Sequence, residues 1–318
     1  MSTAKVDVSI IIPVYNGGDS IGAQLEKILL EHRVNLEVIV INDGSTDNTR
    51  EVLSAIQDPR LQVIHQENQG VYAARNAGLA AHRGDWIILL DADDDFTDDM
   101  IYQRFTQAVK HDVDIFIANG WRNDFGSRDP ATFVHKKQIY NREITGFEWI
   151  RSAVSLREWP HYIWLQIVRS DYIKRNGIIF HLGSSHKDIL WTTDLALSNG
   201  RFYISDVPDY VYVNNGNSIT HSKKYFDART LSYVGVISQL IAYANEEKNR
   251  DVRKALLVHA VEESRHFFGL YRKKTRDKNY AKAQFRDQIR FTDLIKGVNS
   301  LKKMWFLVRL YATLTLQS

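Results

Sequence analysis

The chain has 318 residues, of which 44% are hydrophobic and none is cysteine. It can therefore bury a substantial core, but it can form neither disulfides nor thiolate metal sites. The formal charge of +3 is too small to indicate a nucleic-acid partner, and no run of about 18 apolar residues is present to span a bilayer. The lack of cysteine and of a visible signal peptide predicts a cytoplasmic location.

The first hundred residues alternate short β-branched runs with helical patterns, which is typical of βαβ units. Apolar residues at helical spacing separate the runs, so each helix fits as a crossover between two parallel strands. The predicted strands cover residues 8–14, 36–41, 61–65 and 86–90. The sequence thus predicts a Rossmann-like α/β fold, with a mostly parallel sheet flanked by helices.

The pattern changes in the second part of the chain. After about residue 100 it is mixed, and beyond Tyr225 it becomes wholly helical. The mixed part contains a predicted strand at 113–118, a loop-like stretch from 119 to 134 and a helix near 147–154. We therefore expect a helical C-terminal region over residues 226–318.

An acidic cluster follows the buried apolar run at residues 87–90. It consists of Asp91, Asp93, Asp94 and Asp95, and like charges this close resist ionising together. A Mg²⁺ or Mn²⁺ ion, which prefers carboxylate oxygens, would relieve the repulsion. A solvated acidic turn is the simpler interpretation for an isolated cluster. Its position favours a metal site here, because ligands of parallel sheets bind beyond the carboxyl ends of the strands.

Polar residues also follow the other predicted strands. Asp43 stands at a strand end and is suited to accept from a nucleobase N–H, whereas helix capping is sufficient to explain Asp47. Tyr15 can offer its ring to a base, and Arg75 can neutralise a diphosphate. There is no glycine-rich dinucleotide fingerprint and no phosphate loop, which argues against dinucleotide enzymes and phosphate-loop NTPases.

The order and spacing of four segments resemble family 2 glycosyltransferases. The resemblance is strong over residues 6 to about 110, weaker to about 222 and absent from the helical tail. The segments are Ile11-Ile12-Pro13-Val14-Tyr15-Asn16, Asn42-Asp43-Gly44-Ser45-Thr46-Asp47, Asn68-Gln69-Gly70 with Ala74-Arg75-Asn76, and Leu90-Asp91-Ala92-Asp93-Asp94. The resemblance implies a GT-A fold, a nucleotide-diphosphate sugar, a divalent metal (Mn²⁺ or Mg²⁺) and inversion of the anomeric carbon.

The resemblance also assigns site residues and domains. Pro13, Tyr15 and Asp43 would line a uracil pocket, Asp91 and Ala92 would lie on the ribose side, and Asp93 would carry the metal. Residues 1–225 would form the catalytic domain, with a nucleotide-sugar half at 1–110 and an acceptor half at 111–225.

Three further assignments follow family motifs later in the chain. Asp188 would be the catalytic base, although Lys187 stands where family members usually have glutamate. Trp164 and Lys187 would contact the acceptor, with core packing an equal alternative for Trp164. His221 could reach the diphosphate or the metal, while a surface or packing role is more common for a lone histidine.

The function that the resemblance implies is transfer of a sugar from a UDP-sugar to a glycan or lipid-linked acceptor, in bacterial polysaccharide or lipopolysaccharide assembly. Two alternatives stay open. A nucleotidyltransferase can share this kind of sheet, but it normally needs a glycine-rich loop with a basic residue after the first strand. A non-catalytic sugar-nucleotide-binding relative is the other alternative, because of Lys187.

The C-terminal tail is strongly basic. Between Arg272 and Ser318 there are twelve lysines and arginines and three aspartates, so this segment carries +9 and the remainder of the chain −6. The apolar run Met304-Trp305-Phe306-Leu307-Val308 lies within it. The tail is therefore predicted either to lie in an anionic membrane interface at the inner face of the cell membrane, or to pack on the catalytic domain with a solvated basic face.

Overall fold

The computed structural model describes residues 5–124, 132–214 and 223–315. By its packing the chain divides into two compact units, each made of several segments. Unit 1 comprises Met1–Gly146, Pro160–Leu182 and Asp194–Asn215, and unit 2 comprises Phe147–Trp159, Gly183–Thr193 and Gly216–Ser318. The units are defined by packing alone, so the functional division at residue 225 stays a prediction.

Unit 1 is built on a mixed sheet that has ten strands in the described residues. The strands are β1 Val8–Val14, β2 Leu36–Asp43, β3 Leu61–Gln66, β4 Trp86–Leu89, β5 Asp95–Phe96, β6 Ile115–Asp124, β7 Thr132–Phe133, β8 Glu143–Thr145, β9 Gln166–Arg169 and β10 Arg201–Asn214. Their order is β3-β2-β1-β4-β9-β6-β10-β5, while β7 pairs with β6 and β8 pairs with β10.

The helices in the described residues follow the chain from the first crossover to the C-terminal region. They are α1 Ile21–Leu29, α2 Thr49–Ala55, α3 Val71–Ala81, α4 Met100–Lys110, α5 Gly146–Leu156, α6 Ser170–Asn176, α7 Asp188–Leu197, α8 Lys223–Glu246, α9 Arg250–Lys273, α10 Lys278–Gln288, α11 Phe291–Lys296 and α12 Leu301–Thr315. None of them combines the length and the apolar content that a bilayer-spanning helix needs, as far as the described residues go.

The parallel arrangement predicted for the first four strands is confirmed. β1 lies between β2 and β4 and runs parallel to both, while β3 extends the parallel set on the far side of β2. Every residue of β1 and β2 is buried, as expected for strands covered on both faces. Pro13 is tolerated in this central strand because the pairing of β1 with β4 ends at Ile11, before the proline. The carboxyl ends of these strands therefore meet at one sheet edge.

The second half of the chain adds antiparallel strands to this parallel set. β9 lies between β4 and β6 and runs antiparallel to both, so the complete sheet is mixed. The loop predicted from residue 119 to residue 134 was wrong at both of its described ends, because β6 continues to Asp124 and β7 covers Thr132–Phe133. The long parallel partner β10 pairs with β6 as far as Asp124 and gives these polar residues backbone partners that their side chains do not indicate.

A buried ion pair joins α4 to β10 within unit 1. Arg104 is fully buried, and its Nε and Nη2 atoms donate to the two carboxylate oxygens of Asp209 at 2.8 and 2.5 Å. Its Nη1 atom donates to the carbonyl oxygen of Trp164 at 2.6 Å. Because a buried charge without a partner is strongly destabilising, this bidentate pairing fixes where α4 packs on the sheet.

Unit 2 contains the helical C-terminal region that the sequence predicted. α8 packs along α9, and α10, α11 and α12 pack against these two helices. The segment Phe147–Trp159 joins α9 through stacked rings: Trp149 meets Trp159 edge-on at 4.9 Å, and Trp159 lies on His259 at 3.9 Å. Aromatic burial of this kind explains why residues 147–159 group with the C-terminal helices.

Candidate active site

The loops after β1 and β2 are tied together by side-chain hydrogen bonds. The Asn16 N–H donates to Ser45 Oγ at 2.9 Å, and the Thr46 N–H donates to Asn16 Oδ1 at 2.8 Å. The Gly18 N–H donates to Asp47 Oδ2 at 3.1 Å. A Cβ atom at Gly18 would lie 2.0 Å from Asn48 Oδ1, so a larger residue here would displace the Asn48 side chain. The two strand ends thus form one rigid rim.

Asp43 ends β2 and binds the loop that leads into α3. Its Oδ1 atom accepts from Gln66 Nε2 at 2.7 Å and from the Gln69 N–H at 2.9 Å, and its Oδ2 atom accepts from the Gly70 N–H at 2.8 Å. Gly70 adopts a φ of 90°, which favours glycine at this turn. The carboxylate therefore has a structural role, and its predicted contact with a nucleobase stays a prediction.

The four carboxylates of the acidic cluster after β4 have different partners. Asp91 Oδ1 lies 2.6 Å from Arg75 Nη2, and Asp95 Oδ1 lies 2.7 Å from Lys27 Nζ. Asp94 Oδ2 accepts from the hydroxyl of Tyr210 at 2.8 Å. Three of the four carboxylates are thus held by a cation or a phenol.

Asp93 is the exception. Among the described residues, no side chain donates to Asp93 or forms an ion pair with it. Its side chain reaches solvent, yet the surrounding protein displaces enough water to raise the pKa of the Asp93 carboxyl, and the nearby charge of Asp91 raises it further. The folded chain therefore disfavours a negative charge on Asp93, and a bound cation would offset that cost.

Arg75 is positioned by the acidic cluster as well as by aromatic rings. It is 4% exposed, and its guanidinium carbon lies 5.5 Å from the ring centres of both Tyr72 and Phe180. The structure thus places Arg75 against Asp91, inside the site, rather than at its surface. Its predicted contact with a diphosphate stays a prediction.

Two residues that the sequence analysis missed position the cluster. Gln24 Nε2 donates to the carbonyl oxygens of Asp91 at 2.7 Å and of Asp94 at 3.1 Å. A signal was present, because Gln24 is a polar residue on the buried face of α1. Tyr210 comes from β10; burial, and then the charges of Asp94 and Asp91, raise its pKa well above the ordinary value, so its hydroxyl stays a donor.

The predicted base-binding residues differ in exposure. Tyr15 is 44% exposed at the end of β1, so one side of its ring is available to a ligand, whereas Pro13 is buried within the strand. Ala92 is half-buried between Asp91 and Asp93. Their roles toward a nucleotide-sugar stay predictions.

Trp164 lies in an aromatic stack within unit 1. Its ring is 4.4 Å from that of Tyr210 and 5.7 Å from that of Tyr212, and both pairs are nearly parallel. Only 5% of the residue is exposed. Trp164 thus packs in the core of unit 1, as the alternative interpretation expected. Its contact with an acceptor stays a prediction.

Asp188 and Lys187 belong to unit 2, where Asp188 is the first residue of α7 and Lys187 precedes it. Asp188 is half-buried in the first helical turn, where an acidic side chain also stabilises the helix dipole. Lys187 is buried, and burial lowers its pKa. A Cβ atom at Gly235 of α8 would lie 3.1 Å from Lys187 Nζ, so the lysine lies against that helix. His221 lies outside the described residues.

A divalent metal fits the residues that are present, although they do not form a complete protein cage. In the described ranges, no three histidine or acidic side chains are grouped so that they could hold a metal ion. Mg²⁺ typically takes one or two protein carboxylates, with water and substrate phosphates completing its coordination. Asp93, with Asp91 beside it, matches that smaller requirement.

The fold is that of a GT-A glycosyltransferase. The crystal structure of S. aureus TarS 1-349 superimposes with a TM-score of 0.69 at 17% identity, over 97% of this chain and 92% of that chain. The sequence model of glycosyl transferase family 2 matches residues 9–176. The chain belongs to that family, which confirms the resemblance of its motifs.

Named relatives agree with this assignment. The uncharacterized glycosyltransferase YibD of Escherichia coli is 32% identical over 232 residues, which cover 69% of this chain and 65% of YibD. The uncharacterized glycosyltransferase EpsJ of Bacillus subtilis is 29% identical over 247 residues, which cover 71% of this chain and 69% of EpsJ. The chain thus spans about two thirds of the length of each relative.

Proposed function

We propose that the chain transfers a sugar from a UDP-sugar to a glycan or lipid-linked acceptor, with inversion at the anomeric carbon and with Mn²⁺ or Mg²⁺ bound at Asp93. The observation that supports this proposal most is that Asp93, alone among the four carboxylates, has no side-chain partner in the described residues. A metal bound there supplies positive charge to the departing diphosphate.

The names of related proteins support the donor, the metal and the setting. TarS has been crystallised in complex with UDP-GlcNAc, and the Pyrobaculum calidifontis mannosyltransferase PcManGT in complex with GDP-Man and Mn²⁺. ExoO of Rhizobium meliloti, which is 37% identical over 114 residues, is a succinoglycan biosynthesis protein. Assembly of a bacterial polysaccharide or lipopolysaccharide is accordingly the proposed setting, at the cytoplasmic face of the membrane.

In the proposed mechanism the residues of this chain orient the donor and move one proton. Asp188 accepts the proton of an acceptor hydroxyl while that oxygen forms a bond to the anomeric carbon. The bond from the anomeric carbon to the β-phosphate oxygen breaks, and its electron pair leaves with UDP. Arg75 holds Asp91 on the ribose side, and no covalent sugar–enzyme intermediate is formed.

The geometry disfavours a nucleotidyltransferase. That activity would require the backbone N–H groups after β1 to donate hydrogen bonds to phosphate oxygens. Instead, the Gly17 N–H donates to Thr49 Oγ1 at 3.0 Å and the Gly18 N–H donates to Asp47 Oδ2. These donors are occupied by the protein. Their hydrogen bonds hold the rim rather than a triphosphate.

A donor screen with metal removal tests the proposed activity. The full chain is incubated with UDP- and GDP-sugars and a lipid-linked or oligosaccharide acceptor extract, and released nucleotide is measured with Mn²⁺ and with EDTA. We expect acceptor-dependent UDP release that EDTA lowers at least about 100-fold, because a metal on the leaving group is worth several kcal/mol. Release of pyrophosphate would indicate a nucleotidyltransferase, and donor binding without release would indicate a non-catalytic relative.

We also propose that α12 lies on an anionic membrane surface. Leu307, Leu310 and Leu314 bury one face of this helix in unit 2, where α12 packs on α9 and α11 rather than on the predicted catalytic domain. A second apolar face remains exposed and is flanked by the exposed Lys302 and Arg309. This exposed stripe consists of Leu301, Met304, Trp305, Val308 and Tyr311. Apolar residues with basic neighbours are typical of interfacial helices.

Vesicle flotation tests the exposed stripe. Replacing Trp305, which is 73% exposed, and Val308 by serine should weaken binding to phosphatidylglycerol–phosphatidylcholine vesicles at least about tenfold, because both side chains lose apolar contact with lipid. Tyr280→Ser is the matched control, since Tyr280 is a 52% exposed aromatic residue elsewhere in unit 2. Equal flotation of the wild type and the double variant would contradict membrane association through α12.

A further inference from the structure

Unit 2 contains a basic cavity between α8 and α9. It has a volume of about 400 Å³ and is open to solvent. Arg229 contributes from α8, Arg265 and Lys273 contribute from α9, and Lys274 follows the end of α9. None of the lining residues is acidic. We call this space the α8–α9 cavity.

Nearby carboxylates compensate little of this charge. Glu262 Oε2 lies 3.3 Å from Arg265 Nη1, but that pair is partly exposed, and Glu262 is shared with Lys303 at 2.8 Å. Glu263 is buried, and burial raises its pKa to about 8, so it is mostly uncharged at neutral pH. The cavity therefore keeps a positive potential.

Arg229 supplies positive charge to the cavity from α8. Its side chain hydrogen-bonds Tyr233, which lines the same cavity. Basic residues near a helix C-terminus often only complement the helix dipole, which would explain Lys273. That explanation does not extend to Arg229, which comes from the other helix.

Gly269 keeps the cavity open. It lines the cavity in the interior of the 24-residue helix α9, where glycine costs about 1 kcal/mol relative to alanine. No steric requirement explains this glycine, because a Cβ atom there would meet nothing within 4 Å. Gly269 is exposed, so a large side chain placed here would project into the open space between Arg265 and Lys273.

We infer that the α8–α9 cavity binds a phosphate group, carried by a phosphodiester or a diphosphate. Two guanidinium groups from different helices suit paired phosphate oxygens, and the lysines add point charges. The volume lies within the range of about 300–1,000 Å³ that small-molecule sites occupy. This site is separate from the donor site proposed in unit 1 and does not depend on it.

Calorimetric titration with inorganic pyrophosphate, without donor and in EDTA, tests the inference. We expect Gly269→Leu to weaken binding at least about tenfold although it changes no charge, because the leucine side chain fills the cavity. The variant should remain folded, since leucine is a better helix former than glycine. Arg272→Gln is the control: it removes an exposed charge from α9 that does not line the cavity, and it should change binding less than about twofold.

Vesicles containing phosphatidylglycerol separate the two sources of the phosphate. If Gly269→Leu weakens vesicle binding as well, the group is a lipid headgroup; if it weakens only pyrophosphate binding, the group belongs to a soluble ligand. The inference is overturned if pyrophosphate does not bind, if Gly269→Leu binds it like the wild type, or if Arg272→Gln loses as much. None of these outcomes bears on sugar transfer.

Discussion

Asp93→Asn is expected to lower metal-dependent sugar transfer about 10³-fold, equivalent to about 4 kcal/mol of transition-state stabilisation. The substitution keeps the size of the side chain but removes the one carboxylate of the cluster that no side chain holds in the described residues. Initial rates of UDP release at saturating donor, measured across a range of Mn²⁺ concentrations, provide the test. The variant should also lose the response of the rate to Mn²⁺.

The stability of the same variant gives an independent check. Because the pKa of Asp93 is raised, the folded state disfavours its charged form more than the unfolded state does. An uncharged amide should therefore leave the melting temperature unchanged or raise it. A loss of activity together with a gain in stability is the signature of a functional carboxylate, whereas unfolding of Asp93→Asn would attribute the loss to structure.

Asp95→Asn serves as the matched control. Asp95 is the same residue type in the same loop, but its carboxylate lies 2.7 Å from Lys27 Nζ in a partly exposed pair. Such pairs contribute little stability, so activity should change less than about threefold. Equal losses of activity in Asp93→Asn and Asp95→Asn would show that the rate depends on the total charge of the loop. The assignment of the metal to Asp93 would then be wrong.

The strands that carry this site were predictable because their apolar composition indicates buried strands and their parallel pairing is the one that such strands favour. β1, β2 and β4 are continuous apolar runs followed by polar residues, and parallel topology then brings their carboxyl ends together. β9 and the end of β6 were not predictable in the same way. β9 pairs with β4 and β6, and the end of β6 pairs with β10, so the register of both depends on strands that lie far along the chain.

The acidic cluster was predictable as a group, but the roles of its members were not. Sequence alone presents four similar aspartates, and only the folded chain distinguishes them through Arg75, Lys27 and Tyr210. These partners lie between 16 and 116 residues away from the aspartates they hold. Proximity of that kind is a tertiary property, so local spacing could not show which carboxylate remains unpaired.

Asp188→Asn is expected to lower the rate of transfer about 10²–10⁴-fold while leaving the affinity for UDP unchanged, because the amide cannot accept the acceptor proton. Rates are measured with saturating donor and acceptor, and UDP affinity is measured by calorimetry. The wild-type pH profile of kcat/KM should show an acidic limb that the variant lacks. Asp188→Glu, which keeps a carboxylate, should recover part of the rate.

These measurements separate catalysis from the structural role that Asp188 also has. Asp188 is the first residue of α7, where its negative charge interacts favourably with the helix dipole and stabilises the helix by about 0.3–1 kcal/mol. Asp188→Asn should therefore lower the melting temperature slightly whether or not Asp188 is the base. A purely structural role would move UDP affinity and rate together, or leave both nearly intact, and would not remove the acidic limb. Full transfer by folded Asp188→Asn would therefore assign Asp188 to the helix alone, and the base would have to be sought among other residues.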